Sequence, residues 1–143
     1  MTTAILRATS AHAPWLEQTH ALAFASHDAW SADVFVAQLS MPGVFGLIAE
    51  DQGFVLARVA ADEAEILTIC VVPVGRRQGS GRALLLGAEK IASAWGATSM
   101  FLEVSNHNYA AFDLSKSVGY ERVGLRKRYY SDGSDGLILR KMI

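Results

Sequence analysis

Three strand-like segments follow one another between Val44 and Pro73, and only short polar connections separate them. The segments are "VFGLIAE", "GFVLARVA" and "AEILTICVVP"; the first two meet at the turn signal "DQG", and the third follows "ADE". Tight connections between apolar, β-branched runs are typical of antiparallel hairpins. The spacing therefore predicts a meander of three antiparallel strands, which any fold of this chain must accommodate.

Helical periodicity takes over after the meander. Leu84, Ala88, Ile91 and Trp95 recur at spacings of four, three and four, which places them on one apolar face of a helix. Gly96 is a typical stop for that helix. Further along, "TSMFLEVS" predicts a buried strand, "NYAAFDLSKSVGY" a short amphipathic helix, and "ERVGLRKRYY" with "GLILRKM" a final pair of strands.

The chain before the meander adds one strand and two helices. "TAILRA" predicts the first strand, and the apolar spacing between Ala13 and Phe24 predicts a helix. Ser31 is expected to cap a second short helix that extends to Leu39, with its side chain accepting a backbone N–H. The resulting order, β α α β β β α β α β β, is that of an α/β protein with a mixed sheet.

Composition narrows the class of protein. The 143 residues suffice for one domain, predicted to span 1–143, and 51% hydrophobic with 19% charged residues is typical of a packed globular chain. A net charge of −1 argues against a nucleic-acid partner. The single cysteine, Cys70, fits a reducing compartment, and we find neither a run of ~20 apolar residues nor a signal peptide. We therefore expect a cytoplasmic protein with no membrane partner.

The loop between the meander and the following helix carries the pattern of an anion site. It reads "GRRQGSGRALL", in which Gly79 and Gly81 let an anion approach the main chain and three arginines supply positive charge. Backbone N–H groups converge at such a strand-to-helix turn, where the helix dipole is positive. No lysine follows Gly81, which excludes a Walker loop, and Leu84 replaces the third glycine of a dinucleotide fingerprint. The pattern that remains is R-x-x-G-x-G. The alternative interpretation of this loop is an ordinary strand-to-helix turn with solvated arginines.

This pattern resembles the pyrophosphate loop of the GNAT superfamily of N-acetyltransferases, and the chain is most similar to its RimI-like branch, the ribosomal-protein-alanine N-acetyltransferases. The resembling segments are "ICVVPVGRRQGSGRALL", "LEVSNHN", "RYYSDGSDGLIL" and, upstream, "DAWSADVF". The resemblance implies a GNAT fold, with a mixed, mostly antiparallel central sheet and helices on both faces. It also implies acetyl transfer from the cosubstrate acetyl-CoA to a primary amine, with the N-terminal α-amine of a protein such as a ribosomal protein as the expected acceptor.

The family's cofactor contacts carry over to three parts of this chain. The backbone of Ile69, Cys70 and Val71 is implied to pair with the pantetheine arm, as an added strand does. Asn108 matches an asparagine that contacts the cofactor near the fourth helix. The positions implied to hold the pyrophosphate are Arg76, Arg77, Gln78, Gly79, Ser80, Gly81 and Arg82.

Glu103 matches the family's general base. An amine is mostly protonated at neutral pH, so a carboxylate must take a proton, directly or through water, before the amine can attack a thioester. Glu103 lies between Leu102 and Val104, and strand alternation points it away from both. A lone carboxylate in an apolar strand tends to have a raised pKa, which suits a base. The alternative is an edge-facing glutamate paired with a nearby arginine.

One position departs from the family's pattern. The branch has a tyrosine, the presumed general acid, where this chain has Ser115 in "FDLSKSVGY". A water relay, another tyrosine or unassisted departure of the thiolate would replace it, since a thiol with a pKa near ~8.5 leaves readily. The candidate tyrosines are Tyr109, Tyr129 and Tyr130.

Two rival functions stay open at this point. The first is the same fold acting on a lysine, a polyamine or an antibiotic, because acidic residues lie in the loops that would wall the acceptor site: Asp28, Asp33, Asp132 and Asp135. The second is a weakly catalytic module that binds acyl-CoA, which Ser115 favours.

Metal and thiol chemistry are not indicated by the sequence. The four histidines do not have the spacing of a zinc site, so we expect no metal. Cys70 lies in an apolar strand and is expected to be a small core residue rather than a nucleophile.

Overall fold

The computed structural model describes residues 4–24, 28–72 and 79–143. The predicted order of strands and helices is confirmed, with one short 3-10 turn added at Ser10–His12. The elements are β1 (Ile5–Arg7), α1 (Ala13–Ala23), α2 (Ala32–Leu39), β2 (Val44–Ala49), β3 (Gly53–Ala60), β4 (Glu63–Val71), α3 (Ser80–Ala94), β5 (Ser99–Ser105), α4 (Tyr109–Ser117), β6 (Glu121–Arg126) and β7 (Gly136–Met142).

Helix ends follow the local signals in the sequence. The Val34 amide donates to Ser31 Oγ at 3.3 Å, so the predicted cap of α2 is confirmed. The chain leaves α3 through Gly96, whose φ of +100° lies in the left-handed region that glycine adopts without strain.

Within the described ranges, the strands form one sheet in the order β1-β2-β3-β4-β5-β7-β6. The meander β2–β3–β4 and the final pair β6–β7 are antiparallel, whereas β4 and β5 are parallel. The prediction of a mixed, mostly antiparallel sheet is therefore confirmed. The parallel pair requires a crossover connection, which α3 supplies.

Helices cover both faces of the sheet, as expected. On one face, Leu16 of α1 and Phe35 of α2 are fully buried against Phe54 and Leu56 of β3. On the other face, α3 buries the side chains of Leu84, Leu85, Ala88 and Ala92. Burying each large apolar side chain contributes roughly 1.5–3 kcal/mol, so these two layers fix the position of the sheet between them.

The central strand β4 contains an irregularity that the sequence pattern did not predict. Leu56 pairs with Thr68 while Ala57 pairs with Ile66, so Leu67 is an extra residue on β4. Such a β-bulge bends its strand and increases the local twist. The pairing of β4 with β5 covers only residues 63–65 and 99–101, and the two strands diverge beyond it.

A buried polar network joins α3 to β7 and to Tyr120, the residue before β6. The Tyr120 hydroxyl donates to Glu89 Oε2 at 3.0 Å, and Lys141 Nζ donates to Glu89 Oε1 at 2.6 Å. Burial and the neighbouring Glu89 carboxylate raise the pKa of Tyr120, so its hydroxyl stays protonated and remains a donor. These contacts hold α3 against β7, the strand that pairs with β5.

His20 joins α1 to the sheet and to the segment before α2. Its Nδ1 accepts the Trp30 amide at 3.1 Å, which places the ring proton on Nε2, 3.1 Å from Thr68 Oγ1. The ring is 1% exposed and stacks between Phe24 and Trp30. Burial lowers the pKa of His20 to about 4, so the histidine is neutral at pH 7.

Acidification is therefore expected to destabilise the protein through His20. Because folding lowers the pKa of His20 from 6.5 to about 4, its stabilising contribution is present above pH 6.5 and is lost as the pH falls towards 4. Between pH 7 and pH 5, this group accounts for about 2 kcal/mol of lost unfolding free energy. Urea unfolding at both values should give a smaller loss for His20→Gln than for the wild type. The exposed-histidine variant His107→Gln is the matched control, and equal losses in all three proteins would contradict the prediction.

Within the same ranges, no helix is long and apolar enough to cross a membrane. In the part of the chain that the structure describes, no group of three or more His, Cys, Asp or Glu residues is arranged to hold a metal ion.

Candidate active site

The glycine loop leads directly into α3. Gly79 is the N-cap of the helix with a φ of +83°, and the Ala83 amide donates to its carbonyl at 2.9 Å. A Cβ atom at Gly79 would meet no atom of the described residues within 4 Å, whereas one at Gly81 would lie 2.7 Å from Leu114 Cδ2. Gly79 thus borders open space beside the helix N-terminus, and Gly81 also allows α3 and α4 to approach. Arg76, Arg77 and Gln78 lie outside the described residues.

Two further residues of the predicted anion site begin α3. Ser80 is buried, and its hydroxyl donates to Gln52 Oε1 in the turn between β2 and β3. Arg82 is exposed, with its charge in the first turn of the helix. The helix N-terminus is therefore anchored to the meander, and Arg82 adds positive charge beside it.

Ile69, Cys70 and Val71 lie on the part of β4 that diverges from β5. Their register partners are Val55, Phe54 and Gly53 of β3, on the opposite side of the strand from β5. Cys70 is 2% exposed, and its Sγ donates to the Thr19 carbonyl at 3.4 Å. This placement agrees with the core role expected for the cysteine side chain. In the described residues, β4 beyond Glu65 and β5 beyond Phe101 are not paired with each other, and we call the space between these two parts the gap.

Glu103 lies at the edge of this gap. Leu102 and Val104 are buried in the core, and Glu103 points to the other face of β5, as alternation predicted. Glu103 is two residues beyond Phe101, the last residue of β5 that pairs with β4. If the register between β4 and β5 continued past this pair, Glu103 would lie opposite the extra residue Leu67. Leu67 precedes the segment Ile69–Val71 on β4.

The two carboxylate oxygens of Glu103 have different surroundings. Oε1 is 3.4 Å from Arg126 Nε of β6. Oε2 is buried and has no hydrogen-bond partner among the described residues. The pairing with an arginine that the alternative interpretation expected is therefore present, and the role of Glu103 as a base stays a prediction.

Burial is the largest influence on the pKa of the Glu103 carboxyl. Burial raises the pKa of its carboxyl, the Arg126 guanidinium lowers it, and the Glu65 carboxylate raises it. The net direction is upward, in agreement with the expectation for a carboxylate in an apolar strand. A carboxylate with a raised pKa is a better proton acceptor than an ordinary surface glutamate.

A cavity of about 340 Å³ opens beside Glu103. The walls are formed by the start of β4 and the end of β3, by residues 101–103 of β5 and by single residues of β6 and β7; the β3, β6 and β7 residues are Arg58, Ala60, Arg126 and Ile138. Glu103 therefore separates this cavity from the segment Ile69–Val71 farther along β4. A group in the cavity and a chain along that segment would approach each other at the Glu103 carboxylate.

The loop between β6 and β7 contacts the segment before α2. The Ser131 hydroxyl, in the loop between β6 and β7, donates to Asp28 Oδ2, in the segment before α2, at 2.6 Å. Next to Ser131, Tyr129 and Tyr130 pack edge-to-face with their ring centres 5.1 Å apart. Tyr130 is half-buried, and burial and the nearby Glu103 raise the pKa of its hydroxyl to about 12.

The model of the acetyltransferase (GNAT) family matches residues 7–120 of the chain. The chain belongs to the acetyltransferase (GNAT) family. As a GNAT protein it is an acetyl-CoA-dependent acetyltransferase, as the resemblance of its loop implied. The expected GNAT fold is confirmed as well.

Two relatives that are named as N-acetyltransferases agree with this assignment, and a third relative is uncharacterised. It is 34% identical over 142 residues to N-alpha-acetyltransferase RimI of Mycobacterium tuberculosis, covering 93% of this chain and 88% of that protein. It is 35% identical over 132 residues to the ribosomal protein bS18-alanine N-acetyltransferase of Escherichia coli, covering 90% and 81%. The crystal structure of the E. coli enzyme superposes with a TM-score of 0.84 at 28% identity, over 98% of this chain and 93% of that one. The third, an uncharacterised Mycobacterium leprae protein, is 41% identical over 80 residues, which is 21% of its length.

The two positions at α4 that were compared with the family's pattern, Asn108 and Ser115, both form hydrogen bonds within the helix. Asn108 is exposed and caps α4, with its Oδ1 accepting the Ala111 amide at 3.2 Å. Ser115 is 3% exposed, and its hydroxyl donates to the Ala111 carbonyl at 2.8 Å. The hydroxyl of Ser115 is therefore directed along its own helix, which is typical of serine within a helix.

Among the tyrosines considered as substitutes for the family's general acid, Tyr130 is the one whose pKa is affected by the Glu103 carboxylate. Tyr109 is 71% exposed and Tyr129 is 52% exposed, whereas Tyr130 is half-buried and coupled electrostatically to Glu103. The sequence offered an arginine partner for Glu103 as the alternative interpretation but did not identify Arg126, and it gave no sign of the contact between Ser131 and Asp28. The available signal for the pair of Arg126 and Glu103 was the cluster "LRKRYY". Its side chains could not be assigned to a face of the sheet without the register of β6.

Proposed function

We propose that this acetyltransferase modifies the N-terminal α-amine of a protein, with Glu103 as the general base. The observation that carries the proposal is Glu103 Oε2, a buried acceptor oxygen that lies against Gly136 of β7 and has no hydrogen-bond partner among the described residues. An amine that enters from the cavity would reach this oxygen as it reaches the thioester. The carboxylate accepts the amine proton, the C–N bond forms, and the C–S bond breaks with the electron pair leaving on the thiolate.

Acetyl-CoA is proposed to lie along the diverging part of β4. The backbone of Ile69–Val71 would hold the pantetheine arm as an added strand. Gly79, Ser80, Gly81 and Arg82, with Arg76, Arg77 and Gln78 before them, would hold the pyrophosphate at the N-terminus of α3. Asn108 would contact the cofactor from the start of α4. The two segments converge because β4 leads into the loop that starts α3.

The thiolate needs little assistance to leave. A thiol has a pKa near ~8.5, so its conjugate base is a good leaving group at neutral pH. Tyr130 is protonated at neutral pH, but its pKa, raised to about 12, makes it a weaker acid than an ordinary tyrosine, which favours departure of the thiolate without a proton donor.

A protein acceptor is favoured over a small polycation. The relatives from M. tuberculosis and E. coli are named for acetylating an α-amine and the alanine of a ribosomal protein, respectively. Two of the acidic loop residues that suggested a polycation site accept hydrogen bonds within their own loop, Asp132 from Ser134 and Asp135 from the Arg128 amide. These carboxylates order the loop beside the cavity, and Tyr129 and Tyr130 offer flat surfaces for a peptide.

Acetyl transfer to a matched panel of amines tests the proposal. The panel contains a peptide with a free N-terminal alanine, the same peptide with a blocked N-terminus and an internal lysine, and spermidine. Release of the CoA thiol measures the rate, and mass spectrometry locates the acetyl group. We expect turnover with the free N-terminus only. Turnover restricted to lysine or spermidine would overturn the acceptor class, and tight acetyl-CoA binding without any turnover would overturn the catalytic role of the site.

A further inference from the structure

We propose that Arg126 is a positioning residue of this acetyltransferase, which keeps the Glu103 carboxylate charged and holds Oε1, so that Oε2, which lies against Gly136 of β7, is the oxygen that accepts the proton. The inference rests on the proposed role of Glu103 as the base. It adds a second residue, on a different strand, whose task is to prepare the base for the amine.

The geometry divides the two oxygens of Glu103 between two tasks. Arg126 Nε lies 3.4 Å from Oε1, which restricts rotation of the carboxylate. Oε2 is thereby left as the buried oxygen without a partner among the described residues. A proton taken from an amine would go to Oε2, because Oε1 faces a cation.

Arg126 is itself held in place by an aromatic ring. Its guanidinium carbon lies 5.1 Å from the centre of the Tyr129 ring, within cation–π distance. Tyr129 packs against Tyr130, and the Tyr130 hydroxyl is in turn coupled to Glu103. The arginine side chain is 55% exposed, so this ring and the carboxylate are what order it.

The charged groups around Glu103 shift its pKa in opposite directions. Glu65 from β4 carries the same charge and pairs with Arg58. On β7, Gly136 and Ile138 lie beside Glu103 and do not titrate, and Arg140 lies farther along, opposite Phe101, and is not among the groups that shift the pKa of Glu103. Tyr130, from the loop after β6, is neutral at pH 7 because of its raised pKa. Arg126 is the cation that lowers the pKa of Glu103 against burial and against Glu65. Without Arg126, the pKa of Glu103 would be higher, and a larger fraction of the carboxyl would be protonated on the acid side of the pH–rate profile.

Arg126 also acts on the incoming amine. A cation next to Glu103 disfavours the ammonium form of the acceptor relative to the neutral form. The same charge therefore keeps the base ionised and favours the nucleophilic state of the amine. Both effects act most strongly on the acid side of the pH–rate profile.

The pH dependence of kcat tests this role with Arg126→Gln, Arg126→Lys and Arg122→Gln. Arg122 lies on the same strand and carries the same charge, but it is not among the groups that act on Glu103. We expect Arg126→Gln to move the acidic limb upwards by about one pH unit, the lower end of the effect of a neighbouring charge, because the arginine is half exposed. Its rate should be about tenfold lower on the acid side and should approach the wild-type rate at high pH. Arg126→Lys should restore most of the shift, and Arg122→Gln should show none.

Other outcomes separate this inference from the role of the base. If Glu103→Gln abolishes turnover but Arg126→Gln leaves the acidic limb in place, Arg126 is not a positioning residue and Glu103 remains the base. A loss of equal size at every pH would also overturn the inference, since it indicates damage to packing or acceptor binding. If Glu103→Gln turns over at the wild-type rate, the proposed base itself is wrong. Acetyl-CoA affinity, measured by calorimetry, is expected to be unchanged in all variants and reports that each is folded.

Discussion

Replacing Glu103 by glutamine is expected to lower kcat by roughly 10²–10⁴-fold, the usual contribution of a positioned base. Glutamine has nearly the same shape as glutamate but cannot accept the amine proton at neutral pH. Because Glu103 lies beside the cavity rather than on the segment Ile69–Val71, acetyl-CoA affinity should stay the same. Steady-state kinetics with the free N-terminal alanine peptide and calorimetry with acetyl-CoA separate the two effects.

The matched control for this substitution is Glu121→Gln, which removes an equal charge from the exposed start of β6. Its kcat should equal that of the wild type. A loss of less than tenfold in Glu103→Gln would mean that a water chain or another residue takes the proton. A loss of acetyl-CoA affinity instead of kcat would place Glu103 in cofactor binding.

The second large effect is expected in stability, for Glu89→Ala. Glu89 is 8% exposed and accepts hydrogen bonds from Tyr120 and Lys141, so its removal leaves a buried hydroxyl and a largely buried ammonium without their acceptor. Breaking such a pair destabilises a protein by about 3 kcal/mol. Urea unfolding at pH 7 measures the change, and Glu121→Ala, on an exposed strand, is the control with an expected change within ~0.5 kcal/mol.

The Glu89 network also tests how the site is supported. It holds α3, which begins at the predicted anion site, against β7, which pairs with the strand of Glu103. The variant Glu89→Gln retains an acceptor for Tyr120 and loses the charge that faces Lys141, so its destabilisation should be intermediate. A change below about 1 kcal/mol in Glu89→Ala would show that solvent replaces the lost contacts.

The parts of the fold that the sequence predicts are those that depend on local patterns. The meander follows from short turns between apolar runs, α2 from its Ser31 cap, and the end of α3 from Gly96. The direction of Glu103 follows from the two-residue period of a strand. Each of these requires only a few neighbouring residues, so reading along the chain is sufficient.

The parts that the sequence does not predict depend on register between distant segments. Nothing near Leu67 marks it as an extra residue, because the bulge exists only in relation to the pairing of β3 with β4. The pairing of Arg126 with Glu103 likewise requires the order β5-β7-β6, in which β7 lies between the two strands. Residues 103 and 126 are far apart in the chain, and several other arginines were equally eligible from the sequence.

The sequence by itself therefore determined the order of the elements, the family and the identity of the candidate base. Only the tertiary structure decided which oxygen of Glu103 is held and which is buried without a partner in the described part of the chain. It also decided that Ser115 is bonded within its own helix and that Tyr130 lies near the base. The physical reason is that backbone periodicity is local, whereas burial and charge pairing are set by strands brought together from distant parts of the chain.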